Sequence, residues 1–345
     1  MLNVVFRTDA GPHLGFGHLT RCRALAYALG EQGATCFMVG PAAVYRNHED
    51  ADLFREWHPV PEWVDEQSDA ERFVEIARRL GRARAVLDDY RIQEDYQRVM
   101  LQSGIRWLQF DSFARQPFLG HWVLCASPSA TPERYEPCRR QDGTRFLLGP
   151  RFAVIRTAFR RAHDRAEVRT RVDRVVLCFG GGNDRGATKR VLEALSPLGS
   201  GYAGWDVIIG GTNPYRAEIA ALLTEEPYRG RSRLHVDSHE VVDLLSNADL
   251  GIISGGTISF EACAVGLPTV LLGVADNQMM NVDGWTRAGV SLSLGALDAL
   301  EPERVREVVG SLCSDSPLLQ AMSKAAVALV DAKGGERVAH ELLAR

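Results

Sequence analysis

Short apolar runs recur along this chain, and each ends in a glycine- or aspartate-rich turn followed by a helical pattern. LNVVF, ATCFMVG, ARAVL, IRWLQF and HWVLC lie in the first half; RVVLCF, WDVIIGG, RLHV, DLGIIS and TVLLGV lie in the second. Runs of this length alternating with helices predict buried strands in parallel sheets, with helices on both faces. The stretch HLTRCRALAYALGEQG shows the helical part. Leu19, Cys22, Leu25, Ala26 and Leu29 recur at helical spacing, and Gly33 follows as a stop signal.

The scheme starts twice. Around residues 128–174 it breaks into a Pro-rich segment, PSATPERYEPC, and an arginine-dense one, RRAHDRAEVRTRVDR. A chain of 345 residues suits two cores better than one. We therefore expect an N-terminal Rossmann-like domain over 1–150, with LLGP as its last strand, and a C-terminal Rossmann-like domain over 151–345. The arginine-dense run reads as a solvated helix face or linker. The terminal SPLLQAMSKAAVALVDAKGGERVAHELLAR reads as one long final helix crossing back to the first domain.

Bulk properties exclude several classes. A formal net charge of -4 favours neither nucleic acid nor an anionic membrane surface as partner. The N-terminal segment has no signal-peptide pattern, its apolar run stops at Arg7, and no segment approaches the roughly 20 apolar residues of a membrane span. The seven cysteines form no CxxC and read as reduced thiols of a cytoplasmic protein. Nothing in the residues fixes an oligomeric state.

In open parallel sheets ligands sit beyond the carboxyl ends of the strands. Those positions here hold Asp9 and the loop Gly11–Gly17, then His18; Asp88, Asp89 and Tyr90; Asp111; Gly180, Gly181, Gly182 and Asn183; Ser254 to Thr257; and Asp276, Asn277 and Gln278. His18 stands at a helix start, where the positive helix end disfavours imidazolium. It reads either as a general base oriented by Asp9 or as a ring that packs the first turn. His13, in the loop, is a weaker candidate for the base. Gly181, Gly182 and Asn183 suit a phosphate turn or a purely structural one. In the segment Ser254-Gly255-Gly256-Thr257-Ile258-Ser259-Phe260-Glu261, the glycines suit a pyrophosphate, Thr257 a helix cap, and Glu261 the ribose hydroxyls. Asp89 and Tyr90 read as a sugar contact or a strand-end turn. His235 and His239 straddle a strand end and a helix start, with no HExxH, so no metal site is expected.

These residues accumulate into a resemblance. SGGTISFEACAVGLPTVLLGVADNQMMN is similar to the donor-binding signature of GT-B glycosyltransferases. The start RTDA…GFGHLTRCRALA, with LDDY, FDSFA, LLGPRFAVIR, FGGGND and IGGTNP, resembles the UDP-2,4-diacetamido-2,4,6-trideoxy-β-L-altropyranose hydrolases of pseudaminic acid biosynthesis. The resemblance implies a GT-B-like α/β fold, two Rossmann-like domains with parallel sheets facing a central cleft. It implies a UDP-sugar substrate and an inverting hydrolase that needs no metal or cofactor. His18 would activate water, with Tyr90 and Asn277 lining the sugar site. Gly255, Gly256, Thr257 and Glu261 would hold diphosphate and ribose, with Gly15, Gly17 and Gln278 beside them, and backbone at Val236 would receive the uracil. A transferase on the same donor site and a non-catalytic UDP-sugar binder are the competing readings.

Overall fold

A computed structural model describes residues 2–11, 14–60, 63–81, 83–201 and 204–344. The chain divides into two compact units. The first comprises Met1–Leu14, His18–Arg156 and Lys333–Arg345; the second comprises Gly15–Gly17 and Thr157–Ala332.

The first unit carries a seven-stranded sheet. Its strands are β1 (Asn3–Thr8), β2 (Thr35–Gly40), β3 (Glu56–Pro59), β4 (Ala83–Asp88), β5 (Arg106–Phe110), β6 (Trp122–Cys125) and β7 (Arg145–Leu148), in the order β3-β2-β1-β4-β5-β6-β7. The second unit carries six strands. They are β8 (Arg174–Cys178), β9 (Gly204–Ile209), β10 (Ser232–Val236), β11 (Leu250–Ser254), β12 (Thr269–Gly273) and β13 (Ser291–Ala296), in the order β10-β9-β8-β11-β12-β13. Every strand pair is parallel. In each unit the order reverses beside the first strand, and a reversal of this kind places ligand-binding loops at one end of the sheet.

The apolar runs become strands because both faces are covered. In the first unit Val5, Phe37, Val39, Ala85 and Leu87 pack against the Glu66–Arg79 and Glu94–Ser103 helices. The former presents Ala70, Phe73, Val74 and Ala77 to the sheet, a helical spacing, and Asp65 caps its start by accepting from Ser68 N at 2.8 Å. Burying a side chain such as Phe73 contributes about 2–3 kcal/mol. In the second unit Leu177, Val207, Ile252 and Val270 form the corresponding core with Val191, Leu192 and Leu195 of the Ala187–Leu195 helix.

Four expectations are corrected. β1 continues through Arg7, which is buried and makes a two-pronged ion pair to Asp69, both bonds 2.8 Å long. A charge inside a strand is tolerated when its partner is buried with it. The terminal stretch is two helices, Ser316–Leu329 in the second unit and Gly334–Leu343 in the first. Val330–Lys333 separates them, and a Cβ on Gly334 would lie 2.2 Å from Ala153 O, so the last helix seats its first turn against the Pro150–Phe152 turn. The domain division, expected at 150, falls after Arg156. In the arginine-dense run, Arg169 is buried rather than solvated. It donates to the carbonyls of Val265, Ser246 and Ala248, joining three segments of the second unit.

No described helix is long and apolar enough to cross a membrane. The seven cysteines are all free thiols.

His121 sits at the start of β6 against Trp107, ring centroids 5.4 Å apart. Burial, together with the positive charges of Arg106 and Arg84, pushes its pKa down to about 4. The unfolded chain binds a proton near 6.5, so it holds more protons than the folded one between these values, and stability rises with pH there. Acidification from about pH 6.5 to about 4 is therefore expected to remove about 1–2 kcal/mol, allowing for screening of a half-buried ring. His121→Gln should lack that part of the acid loss. Urea midpoints measured across this range for both proteins check it, and identical pH dependence would refute it.

Candidate functional site

The first-unit centre is built on the Gly17–Glu31 helix and the end of β4. His18 is the helix's second residue, as its place behind the glycine loop predicts. Its side chain is 13% exposed, and its Nδ1 lies 2.6 Å from Asp88 Oδ1, on a carboxylate only 1% exposed. At that separation a proton must lie between nitrogen and oxygen, because two bare acceptors would repel. The neutral ring therefore carries its hydrogen on Nδ1, leaving Nε2 as the nitrogen able to accept a proton. The Tyr90 ring meets the imidazole edge-on, centroids 4.5 Å apart, and packs in turn on Phe113 at 5.3 Å. The Tyr90 hydroxyl lies 3.0 Å from Ser112 Oγ.

Burial alone would push the Asp88 carboxyl up. The Arg21 guanidinium and the His18 ring together hold it well below the usual carboxylate range. Asp88 is thus a fixed anion.

The orienting carboxylate is Asp88, not Asp9. Asp9 accepts a 2.8 Å bond from Arg91 Nη2 and a 2.9 Å bond from Ala10 N. Arg91 also donates from Nε to Asp89 Oδ1 at 2.9 Å and stacks over Trp63 at 4.4 Å. Asp9, Asp89 and Arg91 form a clamp between the loop after β1 and the loop after β4 that carries Tyr90. The chain order put Asp9 one loop from His18, but β4 lies beside β1 in the sheet, and its last residue stands closer. Arg21 and the orienting role of Asp88 do not emerge from the sequence pattern. The available signal was that His18 and Arg21, three apart, share a helix face. His13 lies outside the described residues.

The second-unit residues surround the carboxyl ends of β8 to β12. The helix Thr257–Ala264 starts behind Gly256, which has no side chain of its own to cap it. The hydroxyl of Thr257, expected as the cap, lies inside the first turn. A glycine-led helix start offers amide donors and a positive end to an anion. Gly255 is required here, because a Cβ would lie 2.6 Å from Val282 Cγ2 and 2.9 Å from Gln278 O. Asn281 Nδ2 donates to Gly255 O at 2.8 Å, and Gln278 Oε1 accepts from Val274 N at 3.0 Å, so both fix the loop. Glu261 is buried. Asn277 lies in the Asp276–Arg287 helix of this unit.

The turn Gly180–Asn183 differs. The helix behind it begins with its own carboxylate: Asp184 accepts from Gly186 N and Thr188 N, each at 3.0 Å, and from the Thr188 hydroxyl at 2.5 Å. An incoming phosphate would meet a negative charge at that helix end, so the structural reading of this turn gains and the phosphate reading loses. Asn183 Oδ1 is also engaged, accepting from Arg185 N at 2.9 Å. Gly181 instead meets the end of β9, where a Cβ on Gly210 would stand 2.0 Å from Gly181 O. Gly210→Ala is therefore expected to cost about 1–3 kcal/mol, since the clash is with backbone. A chemical denaturation midpoint unchanged within about 0.5 kcal/mol would contradict this. Val236 ends β10, and the following Asp237 accepts from Gly211 N at 2.8 Å. His235 Nε2 lies 2.8 Å from Asp206 Oδ1.

Comparison with known proteins defines the class by fold. Across nearly its whole length the chain superposes on several solved structures. Staphylococcus aureus MnaA, solved with UDP, gives a TM-score of 0.69 at 10% identity, covering 99% of this chain and 95% of that one. Acinetobacter baumannii MurG gives 0.66 at 15% identity, covering 98% of each. A putative UDP-N-acetylglucosamine 2-epimerase from Listeria monocytogenes also gives 0.66, at 14% identity, covering 99% and 95%. The fold is α/β of the GT-B class, with two Rossmann-like units. Among curated proteins, the spore coat polysaccharide biosynthesis protein SpsG of Bacillus subtilis is 22% identical over 199 residues, 57% of this chain and 58% of the relative. The uncharacterized protein MJ1062 of Methanocaldococcus jannaschii is 21% identical over 277 residues, 79% of this chain and 55% of the relative. The chain thus spans less than two thirds of the length of either. No family profile matches it.

Proposed function

We propose that this chain is an enzyme acting on a UDP-sugar, with His18 as general base for attack at the anomeric carbon. The observation that carries the reading is the His18–Asp88 pair at 2.6 Å, which commits Nδ1 and frees Nε2 for a proton. The glycine-led start of the Thr257–Ala264 helix supports the Gly255–Glu261 segment as the diphosphate and ribose site. The names of the fold neighbours, MnaA with UDP and the UDP-N-acetylglucosamine 2-epimerase, agree with that nucleotide.

The step we favour is hydrolysis. Water attacks the anomeric carbon as the carbon–oxygen bond to UDP breaks. The water proton passes to His18 Nε2, and UDP departs with the bonding electron pair. A diphosphate is already a good leaving anion, so no second carboxyl group is needed to protonate it, unlike the paired carboxylates of ordinary glycosidases. Tyr90 would line the sugar, as the resemblance to the diacetamido-trideoxy sugar hydrolases implies. A second reading replaces water with an acceptor hydroxyl. The polysaccharide biosynthesis relative favours it.

One experiment separates the two. A panel of UDP-acetamido sugars is offered without acceptor in ¹⁸O-water, with UDP release and product mass monitored. Free sugar carrying the label supports hydrolysis by carbon–oxygen cleavage. Inertness until a sugar or lipid acceptor is added selects transfer. Label in UDP would overturn base-assisted attack at carbon, and UDP-sugar binding without turnover, unaltered in His18→Asn, would leave only a binding protein.

A further inference from the structure

The His18–Asp88 pair has a third member. Arg21 follows His18 by three residues on the Gly17–Glu31 helix, so both side chains leave the same face. Its Nε donates to Asp88 Oδ2 at 2.5 Å and its Nη2 donates to Asp88 Oδ1, the oxygen that also faces the imidazole. The same Nη2 lies 3.2 Å from His18 Nδ1. The guanidinium lies over Phe110, 4.6 Å from the ring centroid, and its side chain is only 17% exposed.

Among the described residues, few charges face the ring. Asp88 reaches it from β4, and Tyr90 packs on it beyond the strand end. From its own helix come Arg21 and Cys22, whose thiol is buried and lies 3.7 Å from Asp88 Oδ2. A lone carboxylate beside an imidazole favours imidazolium, and imidazolium is useless as a base. A fixed guanidinium sharing that carboxylate opposes this in two ways. It neutralises the anion, and it sets a positive charge against a second ring proton.

We infer that Arg21 is a positioning residue: it holds Asp88 as a shared anion and stands beside His18, so that the ring remains neutral with its one hydrogen on Nδ1. The inference rests on the proposed role of His18 as base, but its structural half can be read without turnover.

The test uses the full chain with ¹⁵N-labelled histidine. Ring spectra across pH report how many nitrogens of His18 carry hydrogen, assigned with His18→Asn. The wild-type ring is expected to carry one hydrogen near pH 7, and the Arg21→Met ring two. In parallel, the acid limb of kcat/KM for UDP release should move up by roughly one to two pH units in Arg21→Met. Activity should return toward wild type above that limb, and Arg21→Lys should restore part of the difference. Should Arg21→Met not fold, Arg21→Gln keeps a donor to Asp88, removes the charge and carries the same comparison. A singly protonated ring in the folded variant, or a profile lowered equally at every pH, would overturn the inference. A changed ring spectrum in a chain that turns over no UDP-sugar would keep the role of Arg21 and sink the proposed function instead.

Discussion

Replacing His18 with asparagine is expected to lower turnover of a UDP-sugar by roughly 10²–10⁴-fold, the range that loss of a general base produces. Asparagine is the informative choice. Its amide is short and polar, and can still bond Asp88 from the second position of the helix. What it cannot do is accept a proton at the far side of a ring, where Nε2 stands. Removal of the base should act on kcat, with little change in KM, because the nucleotide contacts proposed for the Gly255–Glu261 segment are untouched. UDP affinity, measured by calorimetry on the same variant, should match wild type. Turnover within about threefold of wild type would remove His18 from the chemistry. A parallel loss of UDP affinity would mean that the substitution had disturbed the fold rather than the reaction.

Much of this site was legible in the residues, for a physical reason. Parallel sheets deliver functional groups at strand ends, so the positions just past the apolar runs include His18 and Tyr90 in the first unit and the Gly255–Glu261 segment in the second. The misses have a common cause. Chain order does not give strand order. Asp9 directly follows β1, just before the His18 loop, whereas Asp88 arrives 70 residues after His18, and only the β1–β4 pairing brings it alongside. Arg21 and Arg169 were missed because charge density along a sequence says nothing about which guanidinium has buried acceptors waiting. β3 and β13 escaped because EWHP is short and SLSLGA is partly polar, as sheet-edge strands are. The same blindness applied to helix starts. Two glycine-led turns look alike in sequence, yet one helix carries the carboxylate of Asp184 at its first turn and the other carries none.

Asp88→Asn is expected to be as damaging as loss of the base, roughly 10³–10⁴-fold in kcat, although it changes a single atom and touches no substrate. The argument is one of hydrogen positions. Both Asp88 oxygens accept from Arg21, and Oδ1 accepts from His18 as well. An amide has one oxygen, so one donor of Arg21 must face an NH₂ group whichever way the side chain lies. If the NH₂ takes the place of Oδ1, it donates to His18 Nδ1 and moves the ring hydrogen to Nε2, where it blocks proton acceptance. If it takes the place of Oδ2, the fork to Arg21 is broken at Nε and the ring is held by a neutral oxygen that no longer stabilises the imidazolium formed as the proton arrives. Either arrangement lowers kcat. Raising the pH cannot repair it, since a proton in the wrong place differs from an excess proton. This separates Asp88→Asn from Arg21→Met, whose activity returns on the alkaline side. A pH–rate profile of Asp88→Asn that recovers fully at high pH, or a kcat within tenfold of wild type, would show that the carboxylate serves the fold and not the base.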